Sequence, residues 1–242
     1  MAGVFSMAAV ALATGTLTVP AGASEVVARW TFNGSSGTTV PAEGKGTISL
    51  VGGTSQSFPA GTPTDKFAED QALNKSLSVA SFASATVGSG TRGVMFQVTA
   101  PAGSGVTISW SQRHSSSSSR WMRFEYTLDG TSFTSDGLPN DGLLEASAGA
   151  DTWMNDRSMD LSKVSGIAGN PNFAFRIMSV FAPGSDRYVP AGSTATYSPL
   201  GSIRFDLVTV SATHLPGPGT ASLLGAAALS MKRRLRSNRR VE

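Results

Sequence analysis

Three side chains at alternate positions could meet a ligand together: Trp121, Arg123 and Glu125. A spacing of two places them on one face of a strand. Met122, Phe124 and Tyr126 fall on the other face and read as core. An exposed indole stacks on a sugar ring, while a guanidinium and a carboxylate hydrogen-bond its hydroxyls. Arg113 and His114 lie on the preceding predicted strand, which a hairpin would place alongside. The pattern is that of a carbohydrate-binding platform built from Trp121, Arg123, Glu125 and Arg113.

Other chemistries find less. The chain has no cysteine, which excludes disulfides, thiol catalysis and Cys-ligated zinc. It has two histidines, His114 and His214. A triad would have to use His114, which opens the run Ser115 to Ser119 and reads as an exposed loop residue. No Gly-x-Ser-x-Gly, P-loop or H-E-x-x-H motif occurs. Glu125, Asp156 and Asp160 could supply a glycosidase pair, but outward carboxylates on strands usually serve solubility. The stretch Asp136 to Gly142 carries three oxygen-bearing side chains at a spacing unlike an EF-hand, and reads as a turn. No catalytic residue, metal ligand or cofactor is expected.

The elements that must position these residues are strands. Val106, Ile108 and Trp110 alternate with polar neighbours, as do Ile203, Phe205 and Leu207, Phe173, Phe175 and Ile177, and Val94, Phe96 and Val98. Further strands are expected over 26–32, 46–51, 76–80 and 153–161, with 121–128 completing nine. Trp30, Trp110 and Trp153 read as core. Asp129-Gly130 sits between two such segments and predicts a type I′ hairpin turn. Ser, Thr and Gly number 35, 23 and 27 of 242 residues, and charged residues are only 14%. That composition disfavours a helical bundle and suits short strands and turns. Nine half-buried antiparallel strands must stack or close to hide their apolar faces. The expectation is one all-β domain over 24–213, a jelly-roll-like antiparallel sandwich.

The two ends read differently. Val4 to Val19 is apolar, followed by Pro20-Ala21-Gly22-Ala23. Small residues at Ala21 and Ala23 predict a signal peptide over 1–23, cleaved before Ser24. At the other end stand Pro216-Gly217-Pro218, an apolar run from Ala221 to Met231, and a cluster that includes Lys232, Arg233 and Arg234. A helix over that run would span roughly half a bilayer's hydrocarbon core. Residues 214–242 thus resemble a PEP-CTERM sorting tail, with Pro-Gly-Pro where Pro-Glu-Pro is usual. The resemblance implies export, an exosortase-type processing protease as partner, transient membrane contact and delivery to the cell surface or extracellular matrix. The segments Arg29 to Asn33, Gly46 to Thr54, Gly90 to Val94, Ser109 to His114 and Arg120 to Gly130 resemble, in that order, an exported bacterial β-sandwich domain that commonly carries such tails.

The charge divides along the same boundary. The net charge is +3, but six basic residues lie in Lys232 to Arg240 with one acid, Glu242. The remainder carries 13 basic and 15 acidic residues, a net of −2. A basic footprint for nucleic acid over the body therefore loses its support. The leading expectation is a non-enzymatic exported surface or matrix protein. The alternatives are a carbohydrate-binding module acting in an exopolysaccharide layer, and a divergent glycoside-active enzyme.

Overall fold

Alternation of apolar and polar residues is realised as antiparallel pairing throughout. The computed structural model describes residues 24–102 and 104–214. The expected signal segment, with Ala21 and Ala23, and the tail motif with Pro216, Gly217, Pro218, Arg233 and Arg234 lie outside the described residues. Ser24 opens the first strand.

Twelve strands occur among the described residues: β1 Ser24–Trp30, β2 Glu43–Gly44, β3 Thr47–Val51, β4 Ser55–Ser57, β5 Leu77–Ala80, β6 Gly93–Gln97, β7 Ser104–His114, β8 Trp121–Thr127, β9 Leu143–Glu145, β10 Trp153–Asp160, β11 Ala174–Ser179 and β12 Ile203–His214. The nine expected strands are all present. The three additional ones, β2, β4 and β9, are two or three residues long and too short to show a period. Sheet A runs β10-β7-β12-β1-β2, with β5 and β4 beside the first half of β12. Sheet B runs β3-β6-β11-β8-β9. The two sheets form a β-sandwich. Among the described residues no helix is long and apolar enough to cross a membrane.

The inward faces meet in an aromatic chain. Trp30 of sheet A packs edge-on against Phe96 of sheet B at 5.3 Å between ring centroids. Phe96 stacks on Phe175 at 5.0 Å, and Phe175 on Phe124 at 5.3 Å. Trp110 returns the chain to sheet A at 5.9 Å from Phe124. All five rings are at most 2% exposed. Such pairs add about 0.5–1.5 kcal/mol each beyond their burial.

Three local readings are corrected. The alternation of β12 does not run through Leu207. A bulge between Asp206 and Thr209, with Leu207 at φ +51°, shifts the inward set from Ile203 and Phe205 to Val208, Val210 and Ala212. Asp129-Gly130 is not a two-residue type I′ turn: of the two, only Gly130 has positive φ, at +81°. The hairpin closes farther out, where Tyr126 and Thr134 exchange backbone hydrogen bonds of 2.9 Å. Asp129 organises the loop by accepting from the backbone N–H groups of Thr131 and Ser132, both at 2.7 Å. Finally, β7 and β8 are not a hairpin. Residues 115–120 carry the chain from sheet A to sheet B, and Ser118 and Ser119 on that crossing are fully buried.

Candidate functional site

Because β7 and β8 belong to opposite sheets, the four expected ligand residues separate. Trp121, Arg123 and Glu125 share the outer face of β8 and are each partly exposed, while Met122, Phe124 and Tyr126 are buried. Arg113 stands on the outer face of sheet A, opposite Trp153 and Arg204. It is committed to Asp151, with Nη2 2.9 Å from Oδ1. Trp153, expected in the core, is only half-buried there. Trp30 and Trp110 are core as expected, at 0% and 2% exposure.

On sheet B, Glu125 is committed as well. Its Oε2 accepts from Nε of Arg176, its cross-strand neighbour on β11, at 2.6 Å. The Arg176 guanidinium lies 4.0 Å from the centre of the Phe133 ring, so the hairpin loop folds over this part of the face. Half of the expected platform is thereby closed.

The other half is open. Arg123 lies opposite Leu143 of β9 on one side and Met178 of β11 on the other. Both neighbours are apolar. Among the described residues Arg123 has no acceptor and no counter-ion, and its Nε is buried. Trp121 stands two residues away on the same face, about 7 Å along the strand. It faces Glu145 across β9.

Beyond Trp121 the sandwich edge opens into a cleft of about 570 Å³, lined by Trp121, Asn140, Leu143, Glu145 and Arg157 among others. Arg157 reaches across from β10 of sheet A and donates through Nη2 to the Glu145 carbonyl of sheet B. Its Nε is buried without a partner. Burial pulls the Arg157 guanidinium below its ordinary value, offset in part by the Glu145 carboxylate. Arg157, Glu145 and Asn140 were not legible as site residues. They lie on a three-residue edge strand, a short turn and the far side of a bulge, none of which carries a pattern. An exposed aromatic, Phe67, lies in a loop on the sheet A side, with the Arg29 guanidinium 4.4 Å from its ring.

His114 is not an exposed loop histidine. It is 1% exposed and faces inward on β7. The Trp110 indole N–H donates to Gln112 Oε1 at 3.0 Å. That fixes the Gln112 amide, whose nitrogen donates to His114 Nε2 at 2.9 Å. Nδ1 therefore carries the proton and donates to the Ser119 carbonyl at 2.7 Å. Burial is the main reason its pKa falls to about 4, with the Arg157 charge adding to it. Both ring nitrogens are engaged in the core, so the ring is not poised for catalysis.

The carboxylates do not assemble a pair. Asp156 and Asp160 are exposed on β10, and Asp160 is held low by the Ser162 N–H. Asp136, Asn140 and Asp141 are exposed, with Asn140 and Asp141 in left-handed backbone conformations. No group of three or more His, Cys, Asp or Glu suited to a metal occurs among the described residues.

No family model matches the chain, and no curated protein matches it. Among solved structures it is similar to the CBM22-1 xylan-binding domain from Paenibacillus barcinonensis Xyn10C, at 12% identity and a TM-score of 0.44, covering 82% of this chain and 100% of that one. It is similar to the K1 cleaved adhesin domain of Lys-gingipain from Porphyromonas gingivalis, at 12% identity and a TM-score of 0.38, covering 81% and 98%. It is also similar to the enzymatically active domain of bacteriophage CBA120 tailspike protein 4, at 10% identity and a TM-score of 0.38, covering 68% and 19%. Likenesses at this level do not assign an activity to this chain.

Proposed function

We propose that this chain is a non-catalytic, exported surface or matrix protein whose sandwich binds polysaccharide at Trp121 and Arg123. The observation that carries the binding reading is the unpartnered guanidinium of Arg123 beside the partly exposed Trp121 indole. The Nη groups of Arg123 are not buried and have no acceptor among the described residues. A bound saccharide can meet them, its ring stacking on Trp121 and its oxygens accepting from Arg123. The planar fork of arginine fits a carboxylate best. Sugars bearing uronic carboxylates are therefore the favoured class over neutral ones.

The address rests on the terminal segments. A signal peptide over 1–23 and a PEP-CTERM-like tail over 214–242 engage the export machinery and an exosortase-type protease, with membrane contact confined to sorting. Neither segment bears on what the sandwich binds. Affinity electrophoresis in polygalacturonate, alginate and neutral xylan tests the binding reading. Retardation that Trp121→Ala removes supports it. Migration unchanged in all three overturns it.

A further inference from the structure

A buried, oxygen-rich region lies away from this face, where the 58–76 segment packs against β12. Asp206 is fully buried on β12. Its Oδ2 accepts from the Thr62 N–H at 2.7 Å and its Oδ1 from the Leu207 N–H at 2.8 Å. Asp65, 4% exposed, accepts from the Phe67 N–H at 2.7 Å and from Asn33 Nδ2 at 2.8 Å. Neither carboxylate has an ion-pair partner among the described residues. Both carboxylates gather around Thr62, whose N–H meets Asp206 and whose carbonyl accepts from the Asp65 N–H at 3.1 Å.

A third oxygen points to the same place. Asn74 is 3% exposed, and its Nδ2 donates to the Thr62 carbonyl at 2.8 Å. That bond fixes the amide orientation and leaves Oδ1 buried without a partner. A Cβ on Gly61 would fall 2.0 Å from Asn74 Oδ1, 2.5 Å from Asp206 Oδ2 and 2.7 Å from the Lys75 carbonyl. Oxygens from the 58–76 segment and from β12 therefore converge beside Gly61, where any side chain would force them to shift. Asn155 Oδ1, 2.9 Å from the Thr62 hydroxyl, adds one more oxygen at the margin.

Two buried like charges and an orphaned amide oxygen, with no lysine or arginine to meet them, are expensive as a group. One hard cation answers all of them. The donors are carboxylate, amide and backbone oxygens, with neither imidazole nor sulfur. Calcium accepts such mixed oxygen sets in flexible geometry and completes its six to eight ligands with water, whereas magnesium demands a near-ideal octahedron. We propose that Asp206, Asp65 and Asn74 Oδ1, with the Lys75 carbonyl, bind a calcium ion. The ion ties the 58–76 segment to the central strand of sheet A. Its role is structural and independent of the polysaccharide reading.

The test is thermal unfolding of the full chain after EDTA treatment, then with added CaCl2 or MgCl2, alongside calorimetric titration with CaCl2. Calcium well above its Kd is expected to raise Tm by about 5–10 °C, and magnesium by much less. Asp206→Asn is expected to abolish the rise. Asn74→Asp keeps the fold testable should Asp206→Asn not fold. It is expected to lower Tm in EDTA and to enlarge the calcium-dependent rise. Absence of calcium binding to the wild type at millimolar concentration overturns the proposal. So does an Asn74→Asp variant destabilised equally with and without calcium.

Discussion

His114 Nε2 accepts a hydrogen bond from the side chain of Gln112 in the middle of the sandwich, and this fixes its neutral state. An unfolded histidine titrates near 6.5, whereas folded His114 titrates near 4. Between those values the unfolded chain holds the extra proton, so lowering the pH favours unfolding. The contribution is fully present above pH 6.5 and is lost progressively down to about pH 4, to a total of about 3 kcal/mol. Without calcium, Asp206, raised to about 7 chiefly by burial, acts oppositely, because its folded form holds the proton over much of the same range. The informative comparison is therefore wild type against His114→Gln in chemical denaturation between pH 4 and 7. Removing the imidazole should remove this slope from the variant's curve, so that the difference between the two curves carries it; parallel curves would refute the buried neutral histidine.

On β8 the two open side chains should separate by sugar chemistry. Trp121→Ala should weaken binding to acidic and neutral polysaccharide alike. Arg123→Met keeps most of the side-chain length but loses the fork. It should cost about tenfold or more on carboxylate-bearing polysaccharide, the scale of a hydrogen bond between charged groups. Wild-type binding should also weaken as salt rises, and that sensitivity should be smaller in Arg123→Met. Affinity electrophoresis at two ionic strengths checks both.

Two glycines should fail for different reasons. A Cβ on Gly93 would sit 2.1 Å from the Ile177 carbonyl, inside the β6–β11 ladder. Gly93→Ala should cost at least about 1–3 kcal/mol by forcing the strands apart. At Gly130 there is room, the nearest atom being 3.8 Å away, but φ is +81°. Gly130→Val should cost about 1–2 kcal/mol through backbone strain alone. Equilibrium unfolding of the two variants decides whether the hairpin loop is as described.

The terminal proposal predicts a mass. Protein recovered from its native host should begin at Ser24 and end before Lys232. Intact-mass spectrometry showing residues through Glu242 would refute processing of the tail.

The strands were legible because burying one face leaves a period of two, which β6, β7, β8, β11 and the first half of β12 carry in their sequence. What a period cannot say is which sheet a strand joins. Ser115 to Arg120 reads as a serine-rich hairpin loop, yet it is a crossing buried at Ser118 and Ser119 and held by bonds such as the Ser119 hydroxyl to the Trp121 carbonyl at 2.9 Å. Arg113 left the expected site for that reason alone. Trp121 and Arg123 stayed in it because their relationship is local to one strand. The Leu207 bulge and the Asp206 environment were invisible, since both depend on partners far away in sequence.

The place of β12 has a consequence for how the chain comes to be folded. It pairs with β1, β5 and β7, joining strands from the start and middle of the sandwich to its last segment, with Ser24 against Thr213. A chain made from its N-terminus holds β1 and β7 without the strand that lies between them until residues 203–214 have appeared. Assembly then waits on contacts of very long sequence separation, the slow regime for folding. A truncation that removes β12 takes away the centre of sheet A rather than its margin, and should leave no foldable remainder.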